Sequence, residues 1–317
     1  MKQKFSAIFL LLFSLLQTRA VKAQTDLLFS LEGHSAAVNS IDLSPQGNYL
    51  ISGAKDETIR VWDLEKKQST GSLRITNSSV KRVCFKKDGT GFLASLYTKF
   101  VEVDFKSLSV KATKKKAHTA FVEACNYSPD GSLIVTSSWR DKSLVVWKAN
   151  GFKKLIETKE VNWVDNALIN KNNSLIFSGS HDDLIKVWDI TTGDVIKTLA
   201  GHDDWVYDVE LSNDEQVLYS ASLDKTIKVW DLKTNKNIFT LKGHKDGVIS
   251  LALSADGKYL ASGSMDNTII VWDLSTQTIF KTLSGHTGAV TDIKFNKSGT
   301  ELYSCSIDKT IKVWKVN

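Results

Sequence analysis

The chain has 317 residues, enough for two ordinary domains or for one closed array of repeats, so internal repetition has to be sought first. With 42% hydrophobic and 24% charged residues and only 2 prolines, it is an ordered globular chain and not a collagen-like or disordered one. The formal net charge is +6, but Lys2, Lys4, Arg19 and Lys22 fall within residues 1–23, where no acidic residue occurs; the remainder, at +6 less these four, is +2 and lacks the basic field that would recommend nucleic acid or an anionic membrane as partner.

Residues 1–23 have the layout of a secretory signal peptide: Lys2 and Lys4, an apolar run from Phe5 to Leu16, and a polar stretch closing on Val21, Lys22 and Ala23. Cleavage is expected after Ala23, which would place the rest in a periplasm, outside the cell or in a secretory compartment. The alternative, an uncleaved anchor, meets the difficulty that a spanning helix needs about 20 apolar residues, more than this run supplies. No stable membrane insertion is expected once the signal is removed, and only if the signal reading fails would a cytosolic role arise.

Beyond the signal, a short β-type run, Leu27 to Leu31, leads into Glu32-Gly33-His34. From Val38 onward a valine recurs at Val80, Val122, Val164, Val206, Val248 and Val290, each 42 residues after the last. Nine positions further on, a second column reads Gly47, Gly89, Gly131, Asn173, Glu215, Gly257 and Gly299, the composition of a turn that requires positive φ. Within one unit, the runs Val248–Leu253, Tyr259–Ser262, Thr268–Trp272 and Ile279–Leu283 read as four strands. The turns between them, such as Ala255-Asp256-Gly257, are too short for helical crossovers, so the strands are expected to be antiparallel.

A four-stranded meander cannot bury both of its faces alone, and seven of them stacked radially give an all-β, seven-bladed β-propeller spanning residues 24–317. The chain ends on Thr310 to Trp314, the third strand of a unit. Leu27 to Leu31 matches the outer-strand segment Ile238 to Leu241, which precedes Lys242-Gly243-His244, so the N-terminal strand is expected to complete the last blade and close the ring. Removing residues 1–23 leaves a length of seven such units, in keeping with both the cleavage point and the blade number.

The residue types within the repeat carry a resemblance. Gly-His occurs at Gly33-His34, Gly201-His202, Gly243-His244 and Gly285-His286, and Trp-Asp at Trp62-Asp63, Trp188-Asp189, Trp230-Asp231 and Trp272-Asp273. In this register the chain resembles the WD-repeat (WD40) β-propeller family throughout residues 24–317. The second unit departs from the pattern, with Thr76 in the histidine column and Val103-Asp104 for Trp-Asp, and the fourth has Glu160 in that column. Trp147-Lys148 and Trp314-Lys315 lose the aspartate. These blades are expected to be less rigid but present.

One set of polar residues looks catalytic. The first unit has His34, Ser52, Asp56 and Trp62; the fifth His202, Ser220, Asp224 and Trp230; the sixth His244, Ser262, Asp266 and Trp272; the seventh His286, Ser304, Asp308 and Trp314. An enzyme needs one Ser-His-Asp site, whereas a scaffold needs one per blade. The resemblance implies structural tetrads in which the loop entering each blade is tied by hydrogen bonds to the second and third strands. His34, His118, His202, His244 and His286 stand at multiples of 42 and so on different blades, unable to converge on one ion. His181 lies outside that column, in a turn before Asp182, where a solvated imidazole is expected. No glycine-rich phosphate loop, GxSxG or HExxH occurs. Catalytic, metal and cofactor sites are therefore not expected. Cys84, Cys125 and Cys305 sit in apolar runs with no CxxC pair, which points to free buried thiols. Lys114, Lys115 and Lys116 read as a solvated loop.

A candidate binding surface emerges from the position before each repeated valine. It holds Phe121, Trp163 and Trp205 in three neighbouring units but Ala37, Ser79, Gly247 and Ala289 elsewhere. The resemblance places Trp139 and Arg140 in a turn on the same face. These five residues form either a contiguous partner-binding patch or packing between blades. The family implies a rigid platform for proteins or peptides. The rival is a propeller enzyme or small-ligand binder acting over the central channel.

Overall fold

The computed structural model describes residues 26–75, 78–159 and 162–317. The expected signal segment 1–23, Gln24 and the deviant positions Thr76 and Glu160 lie outside the described residues. Each unit folds back because its turn residues tolerate the left-handed region. All seven members of the turn column have positive φ, from 79° at Gly47 to 57° at Asn173 and 58° at Glu215. In the sixth unit the turns separate strands Val248–Leu253, Tyr259–Ser264, Thr268–Asp273 and Thr278–Ser284. Each pairs antiparallel with the next, beginning with Val248 opposite Ser264.

The described residues form seven four-stranded sheets, blades 1 to 7 in chain order. Six are simple meanders. In blade 7 the order is Leu27–Leu31, Ile311–Lys315, Glu301–Ser306, Val290–Phe295, so the N-terminal strand is the outermost of the last blade. Its register sets Leu27 opposite Trp314, Phe29 opposite Val313 and Leu31 opposite Ile311. The Lys315 N–H donates to the Asp26 carbonyl at 2.7 Å, and Lys281 Nζ lies 2.9 Å from the Asp26 carboxylate. The last blade thus has no bare third-strand edge.

The repeated valine explains how one blade meets the next. All seven are fully buried at the start of the innermost strand or just before it. At three boundaries the preceding blade offers a glycine beneath it: a Cβ on Gly53 would collide with Val80 Cγ1, one on Gly179 would come within 2.8 Å of Val206 Cγ1, and one on Gly263 within 2.8 Å of Val290 Cγ1. The hydrophobic clusters accordingly span blade pairs, as where Phe177 and Val187 of blade 4 pack with Val206, Val209 and Trp230 of blade 5.

Two local departures matter. In blade 2 the innermost strand shrinks to Val83–Phe85, against Val38–Leu43 in blade 1, and Val80 keeps its buried place while lying outside the strand. In blade 3 the turn after Leu133–Ser138 is one residue longer than its counterparts. The outer strand of blade 3 follows a short 3₁₀ turn, Asn150–Phe152.

Cys125 and Cys305 are buried and Cys84 is half-buried, all three as free thiols. Burial pushes the Cys84 thiol up to about 12, far from a reactive thiolate. Lys114 closes the outer strand of blade 2, and its ammonium lies 4.6 Å from the centroid of the Trp147 ring, so it packs and is not simply solvated. Among the described residues no helix is long and apolar enough to cross a membrane.

Candidate functional site

The polar sets are assembled by strand register. In blade 1, the second strand carries Ser52, the third Trp62, the turn between them Asp56, and the incoming loop His34. His34 Nδ1 lies 2.9 Å from Asp56 Oδ2 and Nε2 2.7 Å from Ser52 Oγ, to which Trp62 Nε1 donates at 2.8 Å. Blade 5 repeats this with 2.6, 2.7 and 2.8 Å, blade 6 with 3.0, 2.8 and 2.9 Å, and blade 7 with 2.7, 2.8 and 2.8 Å. In each, the serine oxygen is shared between an imidazole and an indole and lies buried, so it is not offered to a substrate.

A fifth set, absent from the sequence reading, stands in blade 3. His118 Nδ1 faces Asp141 at 3.2 Å, Nε2 lies 2.8 Å from Thr136 Oγ1, and Trp147 Nε1 donates to that hydroxyl at 2.9 Å. The longer turn shifts Asp141 and Trp147 one residue out of the 42-residue register, and threonine stands for serine. His118 in its column was the signal that could have found it. In blade 4, among the described residues, Trp188 Nε1 donates to Ser178 Oγ at 3.0 Å, and Asp182 pairs with Lys186 Nζ at 2.6 Å.

Burial opposes charge on Asp56 and Asp266, but hydrogen bonds from Thr58 and Thr268, from the backbone N–H of Ser35 and Lys245, and from His34 and His244 outweigh it and hold both carboxyls down at about 2. Burial lowers His34 and His244 below 6.5, and their aspartates recover only part of that. All four folded values lie below the unfolded ones, so the stability they supply is complete at neutral pH and lost on acidification. The histidine share goes first, below 6.5, and the aspartate share between 3.8 and about 2. Thermal melts should therefore show a falling melting temperature from about pH 6 downward; a constant value to pH 4 would contradict buried neutral imidazoles.

The five residues proposed for partner binding are brought together, all but Arg140 through ring contacts. The N–H of Trp139 donates to the Phe121 carbonyl at 3.3 Å, that of His181 to Trp163 at 2.9 Å, and that of Leu223 to Trp205 at 2.9 Å. This ladder sets the column before the valine beside the turn after the second strand, on one face. The rings then touch in sequence across blades: Phe121 to Trp139 at 6.3 Å, Trp139 to Trp163 at 4.4 Å and Trp163 to Trp205 at 6.2 Å between centroids. All four are half-buried, intermediate between an open patch and core, and Arg140 is exposed beside Trp139 in the lengthened turn.

Three further members were missed. Tyr97, 46% exposed, extends the line into blade 2 through Phe121 at 4.6 Å. Tyr207 extends it toward the channel, 6.4 Å from Trp205. His181 corrects the expectation of a solvated imidazole: it is buried, stacked on Trp205 at 4.1 Å with planes 12° apart, and its Nε2 is bonded to Asp165. Tyr97, Trp139 and His181 share one 42-residue column, which was the available signal.

The channel wall is polar. Arg82 and Lys294 flank Asp292 at 3.9 and 3.6 Å, and Ser40 Oγ donates to Asp292 at 2.9 Å. Among the described residues no group of three or more His, Cys, Asp or Glu side chains is placed to hold a metal ion.

The family model described as "WD domain, G-beta repeat" matches residues 25–63, 110–148, 154–189, 193–231, 235–273 and 277–315. The first three strands of blade 2, which include its shortened strand and carry no tryptophan, fall between the first two stretches. The chain is similar to "Guanine nucleotide-binding protein subunit beta" of Zea mays, 24% identical over 55% of this chain and 50% of that protein. It is also similar to "Nuclear distribution protein nudF" of Emericella nidulans, 26% identical over 54% of this chain and 44% of that protein. "Apoptotic protease-activating factor 1" of Danio rerio is 26% identical over 54% of this chain and 17% of its own length. The chain thus spans about half the length of the first of these relatives and less of the other two. With matched repeats covering most of its length in the same register as the tetrads, the chain belongs to the WD domain, G-beta repeat family.

Proposed function

We propose that this protein is an exported, non-catalytic scaffold that docks a protein or peptide on the aromatic arc of blades 2 to 5. One observation carries the reading: an unbroken line of rings, from the exposed Tyr97 through the half-buried Phe121, Trp139, Trp163 and Trp205, on a face where the other blades present Ala37, Gly247 and Ala289. Large rigid rings with polar edges give contact area at small entropic cost, which is why they dominate interface hot spots. The name of the Zea mays relative makes it a subunit, a component of an assembly, which supports the same reading. Export rests on the N-terminal sequence, and intact mass of secreted material should show loss of residues 1–23; retention of the apolar run would overturn it.

The docking test is Trp163→Ala combined with Trp205→Ala, with the partner identified by capture from the native compartment. Hot-spot residues contribute about 2 kcal/mol or more each, so affinity should fall by several hundredfold or more while the double variant still melts cooperatively. A variant that keeps its captured partner, or one that does not fold, would contradict the reading.

A further inference from the structure

The position after each repeated valine forms the mouth of the central channel, and on blades 2 to 5 it holds Lys81, Glu123, Asp165 and Tyr207, which border a cavity of about 190 Å³. Blade 3 shows how this face holds a cation. Lys81 Nζ lies 3.3 Å from the Glu123 carboxylate and 5.3 Å from the centroid of the Phe121 ring, so a carboxylate and an aromatic face share one ammonium. One blade further, Trp163 and Asp165 occupy the same two columns, with Trp205 and Tyr207 beyond them. The position that would supply the ammonium is there Glu123. Asp165 takes a hydrogen bond from His181 and is one-fifth exposed, at 21% of its side chain.

Negative charge accumulates around this second pair. Asp182 and Asp183 lie in the turn of blade 4, and Asp203 and Asp204 in the loop leading into blade 5; of these, Asp182 is paired with Lys186. Burial and then the charges of Asp204, Asp182 and Asp203 raise the Asp183 carboxyl, the mark of crowded like charges. The rings themselves are tilted 49°, 66° and 68° to one another, so no flat platform is offered to successive sugar rings.

We propose that the blade 4 to blade 5 part of the arc receives a lysine or arginine side chain of a partner polypeptide, its charge meeting Asp165 and the loop aspartates and its stem lying against Trp163 and Trp205. This rests on the docking reading above and adds the chemistry of the partner. The intramolecular Lys81 contact is the local precedent, and the unneutralised aspartates supply the charge complementarity.

The test uses the exported protein and fluorescent nonapeptide pools of random sequence with arginine, lysine, citrulline or glutamate fixed at the centre, with a glycan array in parallel. Arginine and lysine pools should bind about tenfold more tightly than citrulline, as charge-assisted contacts require, and the preference should weaken with added salt. It should disappear in Asp165→Asn. Because Asp165 also holds His181, a second variant, Asp183→Asn with Asp203→Asn, removes rim charge without touching that bond and should reduce the preference too. Equal binding of arginine and citrulline pools, or preference for glutamate, with binding still lost in Trp163→Ala, sinks the cation inference and leaves docking on the arc intact. A cationic preference untouched by Trp163→Ala and by both aspartate variants puts the site elsewhere and sinks both readings. Binding of no pool, or glycan binding lost in Trp163→Ala, also overturns the inference.

Discussion

Deleting Asp26 to Leu31 should leave a protein that no longer folds to a soluble monomer. The deletion removes the strand facing Ile311–Lys315, the Asp26 carbonyl that accepts from Lys315, the ion pair to Lys281, and Leu31, which is 2% exposed in the cluster joining blade 7 to blade 1. Burial of one leucine contributes about 1.5–3 kcal/mol and each ladder hydrogen bond about 1 kcal/mol net. Together these rival the whole stability of an ordinary domain, about 5–15 kcal/mol. The third strand of blade 7 would also present its backbone N–H and C=O groups to any passing strand. Size-exclusion chromatography and a denaturant melt decide it: aggregation or a lost cooperative transition is expected, and a monomer of unchanged stability would contradict closure by this strand.

Trp230→Ala should cost about 3–5 kcal/mol, because it empties a fully enclosed site where Phe177, Val187 and Val206 of the blade 4 to blade 5 cluster converge. Trp230→Phe keeps most of that volume but withdraws the indole donor from Ser220, whose hydroxyl retains only its bond to His202 at 2.7 Å. That variant should cost about 1 kcal/mol, the ordinary net worth of one hydrogen bond. Urea unfolding with unchanged slope separates the two. Equal costs would mean that the tetrad hydrogen bond, and not packing between blades, is what the tryptophan contributes.

The periodicity made most of the fold legible because a turn and a tetrad are each fixed by chemistry that acts within one unit, and the buried valine, although it packs between blades, recurs at every boundary in the same column. Gly47 and its counterparts, the four strands of blade 6 and closure by Leu27–Leu31 could all be read from spacing alone. Where spacing slips, the sequence is harder to read: one added residue in the blade 3 turn, with Thr136 in place of a serine, hid Asp141, and with it a whole tetrad around the already visible His118 and Trp147. His181 was misjudged for a different reason. Its own turn is polar and reads as surface, but Trp205, which covers it, comes from the next blade. Burial across a blade boundary depends on how two columns face each other, which a single repeat does not encode. The aromatic residues were visible as a set confined to adjacent units, whereas their half-buried, tilted stacking was not.

The join between the two ends of the chain also orders events in time. Leu27–Leu31 leaves the ribosome early, yet its partners come last, and the bond from Lys312 Nζ to Ser30 Oγ links residues 282 apart in sequence. Closing so long a loop costs only slightly more than closing a short one, since the entropy grows with the logarithm of length. Its effect on rate is larger, because contacts this distant place the protein among slow folders. Six blades can form in the order of synthesis, each against its predecessor, while the first-made strand stays unpaired. Translation must deliver the last strand before the earliest one has anywhere to go, so the completed molecule appears in a single late step.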